Sequence, residues 1–150
     1  MAKVKGLTVQ LENRPGTLAY VATVLADAKV NVLSLLGTVS GTQGSVQVVV
    51  ENANKAKKAL GGAGLLFTEG TLEEFELANT PGALAKLAGQ LAKKGINIDC
   101  AYATVHKGAK KAAIVLATSQ AGQVPVRKEP EADDASVEDE KAGYAEGPVG

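Results

Sequence analysis

Near the N-terminus, Leu7, Val9 and Leu11 alternate with Thr8 and Gln10, the two-residue period of a strand with one buried face. The alternation breaks at Asn13-Arg14-Pro15-Gly16. Beyond it Leu18, Val21, Ala22 and Leu25 recur at helical spacing, which predicts a helix with one apolar stripe. The run KVNVLSLL then reads as a second strand, Gly41 and Gly44 mark a turn, and Val46, Val48 and Val50 alternate as a third. In NANKAKKALGGAG, Ala53, Ala56 and Leu60 share a helix face, an Asn can cap the start, and Gly61-Gly62 can end it. Leu65 to Phe67 supplies a fourth strand. The predicted order is β-α-β-β-α-β, an α+β layer of antiparallel sheet with two helices on one face.

The pattern occurs twice. A shift of 66 residues lays Asn13 on Asn79, Pro15 on Pro81, Gly16 on Gly82, Leu18 on Leu84, Leu25 on Leu91 and Asn31 on Asn97. Leu84, Leu87, Ala88 and Leu91 repeat the helical stripe, and KGINIDCAYA repeats the second strand. Under the same shift, the counterparts of Val46, Val48 and Val50 are Ala112, Ile114 and Leu116. The second copy then lacks a second helix and a clear fourth strand, because Gly122, Pro125 and Pro130 oppose a helix and the acidic residues beyond them bury nothing. The expected division is a first unit over 1–70, a truncated βαββ unit over 71–120, and an acidic, disordered tail over 121–150. QVPVR could still add a short edge strand. The strand near Phe75 is left with one edge unpartnered, open to residues 65–69, to the tail or to another chain.

Charge follows the same division. Residues 1–120 hold 13 Lys and Arg against 8 Asp and Glu, and residues 121–150 hold 3 against 8, so a net charge of zero hides a basic body and an acidic tail. Aromatic residues make up 3% of the chain and Trp is absent, leaving few platforms on which bases could stack. The third strands, SVQVVV and KAAIVL, carry no aromatics, which argues against an RNA-recognition module. The single cysteine, Cys100, allows no intramolecular disulfide. With no apolar stretch approaching a membrane span and no signal-type h-region, the expectation is a soluble cytoplasmic protein.

The repeated corner carries the candidate chemistry. Pro suits a first helical turn, and Asn can cap or form a turn by bonding nearby backbone groups. The N–H groups of Gly16, Thr17 and Leu18, and of Gly82, Ala83 and Leu84, then point from a positive helix end toward any carboxylate or phosphate. An Asn amide both donates and accepts, as the carboxylate and ammonium of a free amino acid require.

LENRPGTLAYVATVLADAKVNVLSL and LANTPGALAKLAGQLAKKGINIDCAYA resemble two copies of the ACT domain, a small ligand-sensing module of amino-acid-metabolism enzymes. The resemblance spans about residues 5–118 and extends to stand-alone tandem ACT proteins. It implies two ferredoxin-like βαββαβ units side by side, the second lacking its second helix. It also implies a non-catalytic regulatory protein that needs no cofactor or metal and binds a small amino acid or related carboxylate at the seam between domains. Carried over by position, Asn13, Arg14 and Gly16 would face Asn97 and Ile98, while Asn79, Thr80 and Gly82 would face Asn31 and Val32. A homodimer and a regulated protein partner are implied as well, with neither nucleic acid nor membrane as partner. Serine-sensing members carry a His two positions before the loop Asn; Leu11 and Leu77 stand there, so serine is not assumed.

The rival readings have less support in the residues. His106, the one histidine, lies beside Lys107-Gly108 in a turn with no second imidazole or paired carboxylate for acid–base work. Cys100 has no activating neighbour, Tyr102 shares its strand face, and LGGAGLL lacks the Lys-Ser/Thr of a phosphate loop. The remaining competitor is a structural or adaptor protein in which the corners serve only as turns and the ligand sites are vestigial.

Overall fold

The computed structural model describes residues 2–120, and the expectations for the tail fall outside the described residues. The elements follow in the order β1 (Ala2–Glu12), α1 (Thr17–Asp27), β2 (Val32–Ser40), β3 (Gln43–Val50), α2 (Ala53–Gly62), β4 (Phe67–Ala78), α3 (Ala83–Lys93), β5 (Ile96–Ala103) and β6 (Lys111–Gln120). The six strands form one antiparallel sheet in the order β2-β3-β1-β4-β6-β5. The first four are a complete ferredoxin-like unit. The last three, with α3 between β4 and β5, repeat it without a second helix.

The units are fused more closely than the sequence suggests. The expected fourth strand at Leu65–Phe67 and the first strand of the second copy are one continuous strand, β4. Its first half pairs with β1, from Val9 opposite Phe67 to Ala2 opposite Glu74, and its second half pairs with β6, from Glu73 opposite Leu116 to Ala78 opposite Lys111. Residues 65–69 therefore do not add to the edge near Phe75. They precede it in the same strand or its lead-in, and β1 flanks that edge only as far as Glu74. The boundary drawn at 70/71 falls inside β4.

A second difference is a slip in the repeat. Leu11 lies opposite Gly44, whereas Leu77 lies opposite Ala112, so the offset grows from 66 to 68 across the second hairpin. The counterparts of Val46, Val48 and Val50 are thus Ile114, Leu116 and Thr118, not Ala112, Ile114 and Leu116. Glu73 likewise occupies the place of Leu7, which is fully buried under the helices of the first unit. In the second unit these positions hold a polar pair, with Thr118 Oγ1 donating to Glu73 Oε1 at 3.4 Å. A missing second helix and a polar sheet surface go together, because carboxylate and hydroxyl need not be desolvated.

Both cores lie between helices and sheet. Leu7, Val9, Val46, Val48 and Val50 meet Val21 and Leu25 of α1 and Ala56 and Leu60 of α2, while Ile114 and Leu116 meet Leu87 and Leu91 of α3. Asn52 caps α2 by accepting from the Lys55 N–H at 3.0 Å, as the sequence suggests. The left-handed residue that closes α2 is Gly64, φ 77°, rather than Gly61-Gly62. On the helix-free face, Val49, Leu72 and Val115 form a third buried cluster with Val4, Tyr102 and Ala117 around it. Ser34 Oγ and Tyr102 Oη approach to 3.3 Å although β2 and β5 are the outermost strands, so the sheet is folded over upon that face. No helix among the described residues is long and apolar enough to cross a membrane.

Candidate functional site

The two corners have the same construction. Each helix begins after a glycine in the left-handed region, Gly16 with φ 93° and Gly82 with φ 91°, and no side chain caps either start. Pro15 and Pro81 therefore sit just outside the helix, and Asn13 and Asn79 are not N-caps. Each Asn reaches the following hairpin instead. Asn13 Nδ2 donates to Gly41 O at 3.1 Å and its N–H to Thr42 O at 2.9 Å; Asn79 Nδ2 donates to Ala109 O at 2.7 Å and its N–H to Lys110 O at 2.9 Å. The amide thus ties a β-strand corner to the turn that follows the next strand.

Some donors of the helix start remain available. Tyr20 N–H donates to Gly16 O at 3.0 Å and Lys86 N–H to Gly82 O at 2.9 Å, so the N–H groups of Leu18 and Ala19, and of Leu84 and Ala85, precede the first intrahelical bond. Thr17 N–H and Ala83 N–H reach back to Arg14 O and Thr80 O at 3.4 and 3.2 Å. The Thr17 hydroxyl also turns inward, donating to Glu12 O and Arg14 O. Arg14 Nε meets Glu12 Oε1 at 2.6 Å, with both side chains about two-thirds exposed. At the second corner Thr80 and Ala78 hold these positions, so the ion pair is unique to the first among the described residues.

A cavity of about 340 Å³ opens at the first corner. Residues 11–18 form one wall; Gly37, Thr38 and Val39 of β2 and Gly44, Ser45 and Val46 of β3 form the other. A second cavity of about 450 Å³ meets the same corner from the side of Tyr20 and Leu65. Asn13, Arg14, Gly16, Thr17 and Leu18 are thereby gathered around one hollow. Asn31 and Val32 are outside both linings, at the other end of β2, where Asn31 Nδ2 donates to Glu51 Oε2 at 3.2 Å. Asn97 and Ile98 are outside them too. Asn97 Nδ2 donates to Asp99 Oδ1 at 2.7 Å, and Ile98 packs against the second core. Asn79, Thr80, Gly82, Ala83 and Leu84 share the second corner, where Leu84 is exposed.

The sequence reading missed the β2 and β3 wall. Its only local signal is the small-residue run of LGTVSGTQGS, in which Gly44 leaves no room for a side chain: a Cβ there would stand 3.0 Å from Thr38 O. Among the described residues, no group of three or more His, Cys, Asp or Glu side chains is arranged to hold a metal.

The family model described as the ACT domain matches residues 6–60. A crystal structure of a protein from Bacteroides thetaiotaomicron is 30% identical, with a TM-score of 0.74, over 79% of this chain and 81% of that one. The ligand-free regulatory subunit of aspartate kinase from Thermus thermophilus is 18% identical, with a TM-score of 0.58, over 76% of this chain and 82% of that one. The corresponding subunit from Thermus flavus is 19% identical, with a TM-score of 0.53, over 77% and 85%. These last two share the fold. No curated protein sequence gives a significant match.

Proposed function

The chain belongs to the ACT-domain family, and from that premise we propose that it is a non-catalytic regulatory protein binding a small amino acid or related carboxylate at its glycine corners. The observation that supports this most directly is the open cavity at the first corner, where free helix N–H groups, Asn13 and Thr38 border a largely apolar wall of Leu11, Leu18 and Val39. In this reading a ligand carboxylate takes the Leu18 and Ala19 N–H groups. The Asn13 carbonyl oxygen, whose amide nitrogen is held by Gly41, accepts from the ammonium. Arg14, held by Glu12, bounds the mouth rather than supplying a free cation.

The proposal extends to self-association. β2 is an outer strand with an unpaired edge, and Leu33, Leu35 and Val39 on it are 58, 47 and 63% exposed. A second copy pairing along β2 would cover them and bring its own Asn31 and Val32 toward the seam. Sedimentation velocity tests this: a charge at the edge, Leu35→Lys, should return a dimer to monomer. An unchanged dimer removes β2 as the interface.

Ligand binding is tested by thermal shift against the twenty amino acids. A ligand at 100 times its Kd adds about 2.7 kcal/mol to folding stability, or roughly 5–10 °C for a chain of this size. Asn13→Ala should remove the first corner's share of that shift, and Asn13→Ala/Asn79→Ala should abolish it. One observation favours the adaptor reading: both Asn amides already serve hairpin carbonyls at 3.1 and 2.7 Å. If Asn13→Ala lowers the melting temperature and no amino acid moves it in either protein, the corners are turns alone.

A further inference from the structure

We infer that the fused sheet is a two-leaf clasp, closed across its helix-free face by the Ser34–Tyr102 hydroxyl contact and able to open while both helix-covered cores stay intact. The leaves are β2-β3-β1 and β6-β5, joined through β4. β4 is flanked on both sides only at Glu73 and Glu74, so its ladder offers little resistance to bending. The contact between the leaves is correspondingly small. It consists of Val49, Leu72 and Val115 with Val4, Tyr102 and Ala117 around them, against ten buried residues in the first core alone. The layer that holds the leaves together is therefore less stable than the core within the first leaf, the condition under which a local opening precedes global unfolding.

β2 gives the clasp its regulatory interest. Gly37, Thr38 and Val39 line the first cavity, and Ser34, on the same strand, touches the second unit. A change at either end of β2 can therefore bias one equilibrium, the requirement for coupling between sites. This inference stands on sheet geometry and holds whether or not the corners bind an amino acid.

The test uses the full-length chain and a native probe beside the contact. Cys100, half-buried and the only cysteine, lies two residues from Tyr102 on β5 and pairs with Ala117 of the helix-free cluster. Ser34→Ala, on the opposite leaf, should speed alkylation of Cys100 about two- to tenfold, the change in an opening equilibrium that loss of one neutral hydrogen bond permits. Tyr102→Phe removes the same contact from the other side and should speed alkylation of Cys100 by a similar factor. The double variant should label no faster than the faster single one, since both remove one contact. Tyr20→Phe is the control, because it removes a hydroxyl contact of the same length, to Ala63 O at 3.3 Å, outside the clasp. It should leave Cys100 labelling unchanged. Unaltered labelling in Ser34→Ala or in Tyr102→Phe, multiplying effects in the double variant, or equal acceleration by Tyr20→Phe would each overturn the clasp.

Discussion

Gly6 and Gly70 face each other across β1 and β4, yet an added methyl should have opposite consequences at the two positions. A Cβ on Gly6 would stand 2.6 Å from Leu72 Cδ1 and 3.1 Å from its Cγ, while a Cβ on Gly70 would meet nothing within 4 Å. Neither residue has a left-handed φ, so the difference is steric. Gly6→Ala forces Leu72 off the position from which it fills the helix-free cluster, an overpacking that costs about 1–3 kcal/mol. Gly70→Ala keeps its contacts and restricts the unfolded chain, so it should be neutral or stabilising by up to about 1 kcal/mol. Leu72 is 4% exposed, and Leu72→Ala alone should cost about 2–5 kcal/mol. The combination Gly6→Ala/Leu72→Ala places a methyl in the space the leucine vacates, so it should cost at least about 1 kcal/mol less than the sum of the single changes. Urea denaturation of the four variants measures all of these terms. The reasoning fails if Gly6→Ala and Gly70→Ala agree within about 0.5 kcal/mol, the uncertainty expected of additive sites, or if the double variant equals the sum.

Three further outcomes follow from the duplicated geometry. Lys29 holds φ 61° at the end of α1, where the repeat places Gly95 at φ 74°; Lys29→Gly should stabilise by about 0.5–1 kcal/mol in thermal melts, as relief of a left-handed β-carbon exceeds the added chain entropy. Gly16→Ala and Gly82→Ala meet no neighbour, so each should cost about 1–2 kcal/mol from backbone conformation alone, and the two urea midpoints should fall by similar amounts. Lys57 Nζ and Glu69 Oε1 lie 3.0 Å apart at roughly one-third exposure, so Lys57→Met should cost under about 1 kcal/mol, with the difference from the parent chain shrinking as salt is raised.

The helices and most strands were legible because their signals are local. Alternation at Leu7, Val9 and Leu11 and the stripe of Leu84, Leu87 and Leu91 report their own burial within a few residues. The continuity of β4 was not legible, because Gly70 breaks the alternation between Phe67 and Leu72, and the pairing with β1 that carries the strand through it is a long-range contact. The two-residue slip was hidden in the polar hairpin TVHKGAK, where an insertion changes no apolar period. Glu73 carried a signal that could have been read, a charge at the place of a core leucine in a copy whose second helix was already missing. At the site, the corner residues were found by their repetition, including the glycines. Their neighbours Gly37, Thr38 and Val39 come from a different strand, and the Asn-to-hairpin bond is a long-range contact that no spacing rule encodes.

β4 is a party wall. In most tandem arrangements a tether separates neighbouring copies and absorbs insertions, deletions and cuts, so that either copy can be lifted out whole. Here a break between residues 70 and 71 would cut the first copy's closing strand in the middle: Phe67–Gly70 would stay opposite β1, while residues 71–74, which β1 also pairs, would leave with the second copy. Residues 67–78 therefore tie the two repeated halves through one uninterrupted backbone, and no cut at the repeat boundary frees the first with its full closing strand.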